Sequence, residues 1–435
     1  MKRALMILAC ALTAPASVVG AQATDSNTVR YVVSGVQVIQ RRTPASIVVA
    51  NLYLLGGLRQ ATPQTAGTES LLLAASERGS TKYPRDAMRR ALARTGSEIG
   101  IAPREDWTTI SIRTTPQELD STWALFADRV MHPTLDSAEV ELVRTQLLSG
   151  VRQRADSPDA MLDYLSDSIA YTGQPYALST VGTAETISNI TRAQLRRYHR
   201  DQFVTSRMLL VVVGNVAREK IETLVRTTIG TLPAGSYQWK APEAGASLPT
   251  DAVFLRRTLP TNYIQGFIAG PPANHRDAAA LRVAAAVLSG RLFSEIRSKR
   301  NLTYAVSANY RDRGLTSIAL YVTTTAPDTT IALMKKEVQF IAKANIPTEN
   351  LAPLVAQFIT EYFLENETIT AQADFLARAQ LFRGDFRAGS KFVSELRAVT
   401  GDDIKRVVTQ YFRDIRWVYV GDPAQMPRER LLRFP

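Results

Sequence analysis

Two stretches of this chain carry the same local pattern, and that echo constrains the fold more than any other feature. Ile190-Thr191 is followed by Leu195, Arg197 and Phe203, then by Val211-Val212-Val213-Gly214. Val399-Thr400 is followed by Ile404, Arg406 and Phe412, then by Tyr419-Val420-Gly421. In the first copy, Thr191 to Arg200 has helical periodicity, and Met208 to Val213 is an unbroken apolar run that fits a buried strand. A unit that recurs in two halves predicts a duplicated pair of α+β domains, each with helices packed on a mostly antiparallel sheet. Length agrees, because 435 residues exceed what one compact core normally serves. Pro233 to Pro249, with Gly235, Pro242 and Gly245, is the best connecting segment. The expected division is therefore 27–232, a linker at 233–250, and 251–435.

Periodicity supplies the elements. In the first half it predicts strands at Val32–Ile39, Ile47–Leu55 and Trp107–Arg113, the first two forming a hairpin. It predicts helices at Thr68–Ser76, Pro84–Arg94, Gln117–Val130 and Ser137–Gln153, the last stopped by Ser157-Pro158. In the second half it predicts strands at Tyr263–Ala269, Ser317–Thr323 and Trp417–Val420. Helices are expected at Asp277–Leu288, Thr330–Ala342 and Glu349–Leu364.

The stretch Arg291–Tyr310 reads as a helix, with Leu292, Phe293 and Ile296 at one-turn spacing, stopping near Asn301. A strand follows, with Tyr304, Val306, Ala308 and Tyr310 on one face. Arg297 and Tyr304 can then meet across a tight turn and offer a guanidinium fork and a phenol hydroxyl to one carbonyl or oxyanion. The same spacing also suits a solvated arginine beside an ordinary strand tyrosine.

This string resembles the second-half signature of the pitrilysin/insulinase-like zinc peptidases, roughly S-R-L-F-x-x-[IL]-R-E-K-x-G-L-x-Y-x-V. Arg291, Leu292, Phe293, Ile296, Arg297, Lys299, Leu302, Tyr304 and Val306 match. Ser298 and Asn301 depart from the usual Glu and Gly. The resemblance implies two tandem homologous domains and makes Arg297 and Tyr304 a pair that holds substrate backbone. It also implies H-x-x-E-H on the first helix of the first half and a distal glutamate, binding zinc and activating water. In the segment Gly67–Ser80, aligned on Gly67 and Arg78-Gly79-Ser80, Ser70 and Ala74 stand at the histidine positions and Leu73 at the glutamate. Gly150 stands at the distal carboxylate. The histidines His132, His199 and His275 have no ligand spacing, so no zinc or other cofactor is expected in this chain.

Composition adds compartment and excludes some chemistries. Lys2 and Arg3, the apolar run Ala4–Leu12 and the small residues at 19–23 read as a signal peptide over 1–21, implying a periplasmic or secreted protein. Its one cysteine, Cys10, lies in that segment. The formal charge of +12 comes from scattered Lys and Arg without a nucleic-acid motif. No G-x-S-x-G elbow or phosphate loop is present, and no transmembrane segment is expected. Two readings remain. In one, the chain is the non-catalytic, peptide-holding subunit of an exported heterodimeric zinc metallopeptidase, its partner bringing H-x-x-E-H and zinc. In the other, it is a scaffold or peptide-binding module with no role in proteolysis. A homodimer is compatible with either.

Overall fold

The computed structural model describes residues 27–245 and 247–434; the expected signal peptide at 1–21 lies outside them. The first half forms a six-stranded sheet from β1 (Thr28–Val33), β2 (Val36–Arg42), β3 (Val48–Leu55), β4 (Glu98–Pro103), β5 (Trp107–Thr114) and β6 (Met208–Gly214). Its order is β1-β2-β6-β3-β5-β4. Helices α1 (Thr68–Ser76), α2 (Arg85–Thr95), α3 (Leu119–Met131) and α4 (Ser137–Asp156) come first; α5 (Pro158–Ala170), α6 (Ala184–Asn189), α7 (Arg192–Gln202) and α8 (Arg218–Thr227) follow.

The second half forms a five-stranded sheet, β7-β11-β8-β10-β9. Its strands are β7 (Asp251–Arg256), β8 (Asn262–Pro272), β9 (Val306–Arg311), β10 (Leu315–Thr324) and β11 (Arg416–Gly421). The principal helices are α9 (Asp277–Leu292), α10 (Pro327–Lys343), α11 (Ala352–Glu365) and α12 (Ile369–Arg383). The short α13 (Phe392–Arg397), α14 (Gly401–Tyr411) and α15 (Arg428–Leu432) complete the half.

The sequence echo has a physical basis. Thr191 and Thr400 each cap a helix through a capping box, accepting from the backbone N–H of Gln194 and Asp403 respectively. Leu195 and Ile404 are fully buried, and so are the strands that follow the two helices, apart from half-buried Arg416 at the start of the second. Strand β6 pairs parallel with β2 and antiparallel with β3; β11 does the same with β7 and β8. All other pairings are antiparallel. Two sheets of this kind, packed by helices, are the duplicated α+β arrangement that the sequence predicts.

Two expectations about strands are corrected. Val32–Ile39 is a hairpin, not one strand, because Ser34 and Gly35 both take positive φ (48° and 84°) and turn the chain between Val33 and Val36. Strands β2 and β3 do not pair with each other, because β6 inserts between them.

Each sheet has its own helices on one face and a helix from the other half on the opposite face. Helix α12 lies across β3 and β6, and α5 lies across β8 and β11. Leu376, Leu381 and Phe382 thus close over Ile39, Tyr53, Leu55, Val211 and Val213. Leu162 and Ile169 reciprocally meet Val418 and Val420.

Polar contacts pin the same exchange. Along α5, Asp159, Asp163 and Asp167 recur every four residues and therefore share one face. They receive Tyr321 (2.7 Å), Gln265 (3.1 Å) and Arg311 (2.6 Å to Asp163, 3.0 Å to Asp167) from the second sheet. Arg313 also pairs with Asp167 at 3.0 Å. Burial, against the two guanidiniums, pushes the Asp167 carboxyl above its usual range. Arg313→Leu removes one of its two neutralising partners and is expected to destabilise by about 2 kcal/mol. Retained Arg311 and partial exposure keep this below the cost of stranding a buried charge outright. Urea denaturation checks it, and an unchanged midpoint would mean that the interface does not depend on this pair.

The expected linker is irregular but not loose. Trp239 packs against Trp107 and donates to the Leu381 carbonyl at 2.9 Å, and the Lys240 carbonyl accepts from Arg59 at 3.0 Å.

Candidate functional site

Helix α9 passes into a single π-helical turn, Phe293–Ser298, before the chain reverses toward β9. The reversal uses Asn301 at φ 52°, a left-handed conformation that Asn tolerates better than most residues. The family signature's Gly is thus replaced by a residue able to make the same turn. Thr303 accepts from the Ala305 N–H (3.0 Å) and donates to its carbonyl (2.8 Å), while Thr324 donates to the Leu302 carbonyl at 2.8 Å. These bonds hold the segment between helix and strand.

Tyr304 is not on the strand as expected; β9 begins at Val306, and Tyr304 sits in the bend before it, 81% exposed. The expected meeting with Arg297 does occur. The Arg297 guanidinium carbon lies 4.5 Å from the centre of the Tyr304 ring and 4.9 Å from that of Phe293. Such contacts hold a guanidinium by its face while its N–H edges stay available. Among the described residues, no ion pair or hydrogen bond engages those edges.

The nearby Glu295 does not quench this charge. It accepts from Lys299 and, at 2.8 Å, from Arg300. Those cations hold its carboxyl down to about 2. An exposed phenol beside an unpaired guanidinium is an arrangement able to grip a backbone carbonyl or carboxylate. Phe293, 46% exposed, is a member of this cluster that sequence reading assigned only to an apolar helix face. Its position four residues before Arg297 was the available signal.

Helix α1 shows what occupies the metal-ligand positions. Ser70 is buried and donates its hydroxyl to the Thr180 carbonyl at 2.6 Å. Leu73 is buried in the first half's core, with Ala74 packed at its margin. Gly150 lies on α4, which packs on α1, and a side chain there would meet open space. Neither crowding nor backbone strain therefore accounts for its missing carboxylate.

The carboxylates nearest in sequence are also engaged. Glu69 accepts from Thr108 and from Tyr198 (2.7 Å) and lies 3.6 Å from buried Arg207. Burial, reinforced by Glu69, pushes the Tyr198 phenol well above its usual range. Glu77 pairs with Arg129 at 3.0 Å.

His199 has Nε2 2.8 Å from the Val130 carbonyl, and burial lowers its pKa. His132 and His275 are exposed and far apart in sequence. No three His, Cys, Asp or Glu side chains converge among the described residues. The residues at the expected site do not fit zinc, since they supply no imidazole or free carboxylate. No described helix is long and apolar enough to cross a membrane.

Comparison with known proteins gives a consistent pattern. The model described as "Insulinase (Peptidase family M16)" matches residues 36–184, and "Peptidase M16 inactive domain" matches residues 189–358. The chain is similar to cytochrome b-c1 complex subunit 1, mitochondrial, of Caenorhabditis elegans, at 24% identity over 92% of this chain and 89% of that protein. It is also similar to mitochondrial-processing peptidase subunit beta of Blastocladiella emersonii, at 23% identity over 92% and 90%. A crystal structure of a peptidase M16 inactive domain from Pseudomonas fluorescens shares the fold, with TM-score 0.83 and 18% identity over 91% and 98% of the two chains.

Proposed function

Because this chain belongs to the insulinase-type M16 peptidase family, with that family's inactive-domain module in its second half, we propose that it is the non-catalytic, peptide-holding subunit of an exported heterodimeric zinc metallopeptidase. A partner of the same family supplies H-x-x-E-H and the zinc; this chain supplies Arg297 and Tyr304. The observation that carries this reading is the contact between an exposed phenol and a guanidinium that has no anionic partner among the described residues. It stands in a chain whose Ser70, Leu73, Ala74 and Gly150 offer zinc no donor set.

The chemistry assigned to the pair is substrate positioning and carbonyl polarisation. Arg297 donates to a substrate carbonyl or carboxylate, and the Tyr304 hydroxyl donates to the same oxygen or its neighbour. Water activation and bond cleavage belong to the partner. Residues 1–21 direct export, and the bound material is a peptide or unfolded polypeptide gripped mainly by its backbone.

The test is co-expression with an exported H-x-x-E-H family member encoded beside this chain. The expected outcome is a stable pair carrying one zinc, cleaving peptides that neither chain cleaves alone, and no stoichiometric zinc in this chain by itself. One zinc per isolated chain, with peptide cleavage, would overturn the assignment. A second reading, scaffold or peptide-binding module without proteolysis, is favoured by the likeness to a cytochrome b-c1 complex subunit. It predicts no active pair and no effect of Arg297 on any turnover.

A further inference from the structure

A cavity of about 330 Å³ opens where α12 leaves the second half to cross the first sheet, bounded also by α9 and α11. We propose that it binds an arylalkyl cation: an apolar, ring-bearing body that carries an ammonium or guanidinium group.

The walls fit the apolar body. Tyr310, Phe358, Tyr362, Phe375 and Phe392 line the cavity and are each only half-buried; Arg282 already sits over the Tyr310 and Phe392 rings, at 4.5 and 5.3 Å, so the uncovered apolar surface is that of Phe358, Tyr362 and Phe375. Tyr362 meets Phe375 edge-on at 5.4 Å and lies 5.2 Å from Phe392, giving the wall a fixed shape. Small residues, Ala278, Ala279, Ala371 and Ala379, keep the space open. The volume lies within the usual range for small-molecule sites, about 300–1,000 Å³.

The charges fit the cationic end. Arg282 and Arg378 also line the cavity, but both are tied to Asp312, at 2.8 and 2.9 Å. Arg383 is paired with Glu395 at 2.9 Å. Among the described residues, three carboxylates have no cationic partner. Asp374 accepts from the Tyr53 hydroxyl at 2.5 Å and from Asn51 at 3.4 Å through one oxygen. Glu361 accepts from Gln357 at 2.8 Å, and Glu365, one turn along α11, has no ion pair among the described residues. The lining is therefore net negative in a chain whose formal charge is +12. A local reversal of sign beside uncovered aromatic rings selects a cation with a hydrophobic body.

The full-length chain is titrated calorimetrically with 4-phenylbutylammonium, with its neutral analogue 4-phenylbutanol, and with 4-phenylbutyrate. The cation is expected to bind at least about tenfold more tightly than the alcohol, and the anion more weakly than either, in line with a carboxylate–cation contact worth about 1.4 kcal/mol. The E361Q/E365Q double variant should abolish the advantage of the cation and leave the alcohol unchanged. Ala279→Trp, which fills the cavity, should weaken all three probes.

A blocked Phe-Arg dipeptide amide, run alongside, separates the sources. Tighter binding than phenylbutylammonium assigns the site to peptide side chains, and weaker binding assigns it to free amines. Equal binding of cation and alcohol would overturn the proposal, as would no binding by any probe or affinity that survives A279W. Thermal melts matched to the parent chain establish that each variant is folded.

Discussion

Severed within 233–250, the two halves are expected to lose cooperative unfolding when expressed apart and to recover it when mixed. The reason is the reciprocal placement of α12 and α5. Alone, residues 27–232 would present Ile39, Val49, Tyr53, Leu55, Leu209, Val211 and Val213 to water, without the α12 side chains that cover them. Removing a buried leucine- or phenylalanine-sized side chain from its apolar surroundings costs about 1.5–3 kcal/mol. Leu376, Leu381 and Phe382 together therefore represent a large part of the roughly 5–15 kcal/mol net stability of an ordinary domain. The isolated second half would in turn lose Leu162 and Ile169 from over Val418 and Val420, and Arg311 and Arg313 would lose their carboxylates on α5. Separate halves should bind a hydrophobic dye and unfold gradually. A sharp melt from either half at the temperature of the intact chain would refute the argument.

In the reconstituted pair, Arg297→Ala is expected to reduce kcat/KM by about 10²–10³, the usual effect of deleting one donor aimed at a developing negative charge. Arg297→Lys should recover only part of that, because an ammonium lacks the planar fork and stacks poorly on Tyr304 and Phe293. Tyr304→Phe keeps the ring contact and removes the hydroxyl, so it isolates the phenol's contribution. None of these changes should alter the melt of the isolated chain by more than about 0.5 kcal/mol, since both side chains reach solvent and support no core contact. Stability held constant while turnover falls is the pattern expected of a substrate-contacting pair. A loss in kcat rather than KM would place the contact in the transition state. Turnover unchanged in all three variants would favour the scaffold reading.

The meeting of Arg297 with Tyr304 was legible because periodicity shows a helix reversing into a strand, although Tyr304 falls in the bend before β9 and not on it. That Glu295 is occupied by Lys299 and Arg300 was harder to see, because it depends on which of three nearby cations the turn brings round. Helix α1 was legible residue for residue from its apolar run. Helix α5 was not, because Ser157-Pro158 reads as a stop, whereas Ser157 caps the next helix and Pro158 begins it. Helix α12 escaped because its buried residues Ala373, Leu376, Ala377, Ala379, Leu381 and Phe382 wrap around it instead of forming a stripe. A helix enclosed by two halves of a protein has no single apolar side. Strand β4 escaped for the opposite reason: Glu98–Pro103 is an edge strand, only half-buried, with Gly100 within it and a proline at its end.

The crossed-over helices also govern how such a molecule can move. To swing one half against the other, the chain would have to peel α12 from β3 and β6 while tearing α5 from β8 and β11, exposing two apolar faces and three aspartates at once. Domain motion normally runs through a few residues that absorb the rotation cheaply, whereas here any rotation has to break both helix-on-sheet contacts at once. It should behave as one stiff body, so that in the proposed pair any opening toward substrate comes from rocking between whole subunits.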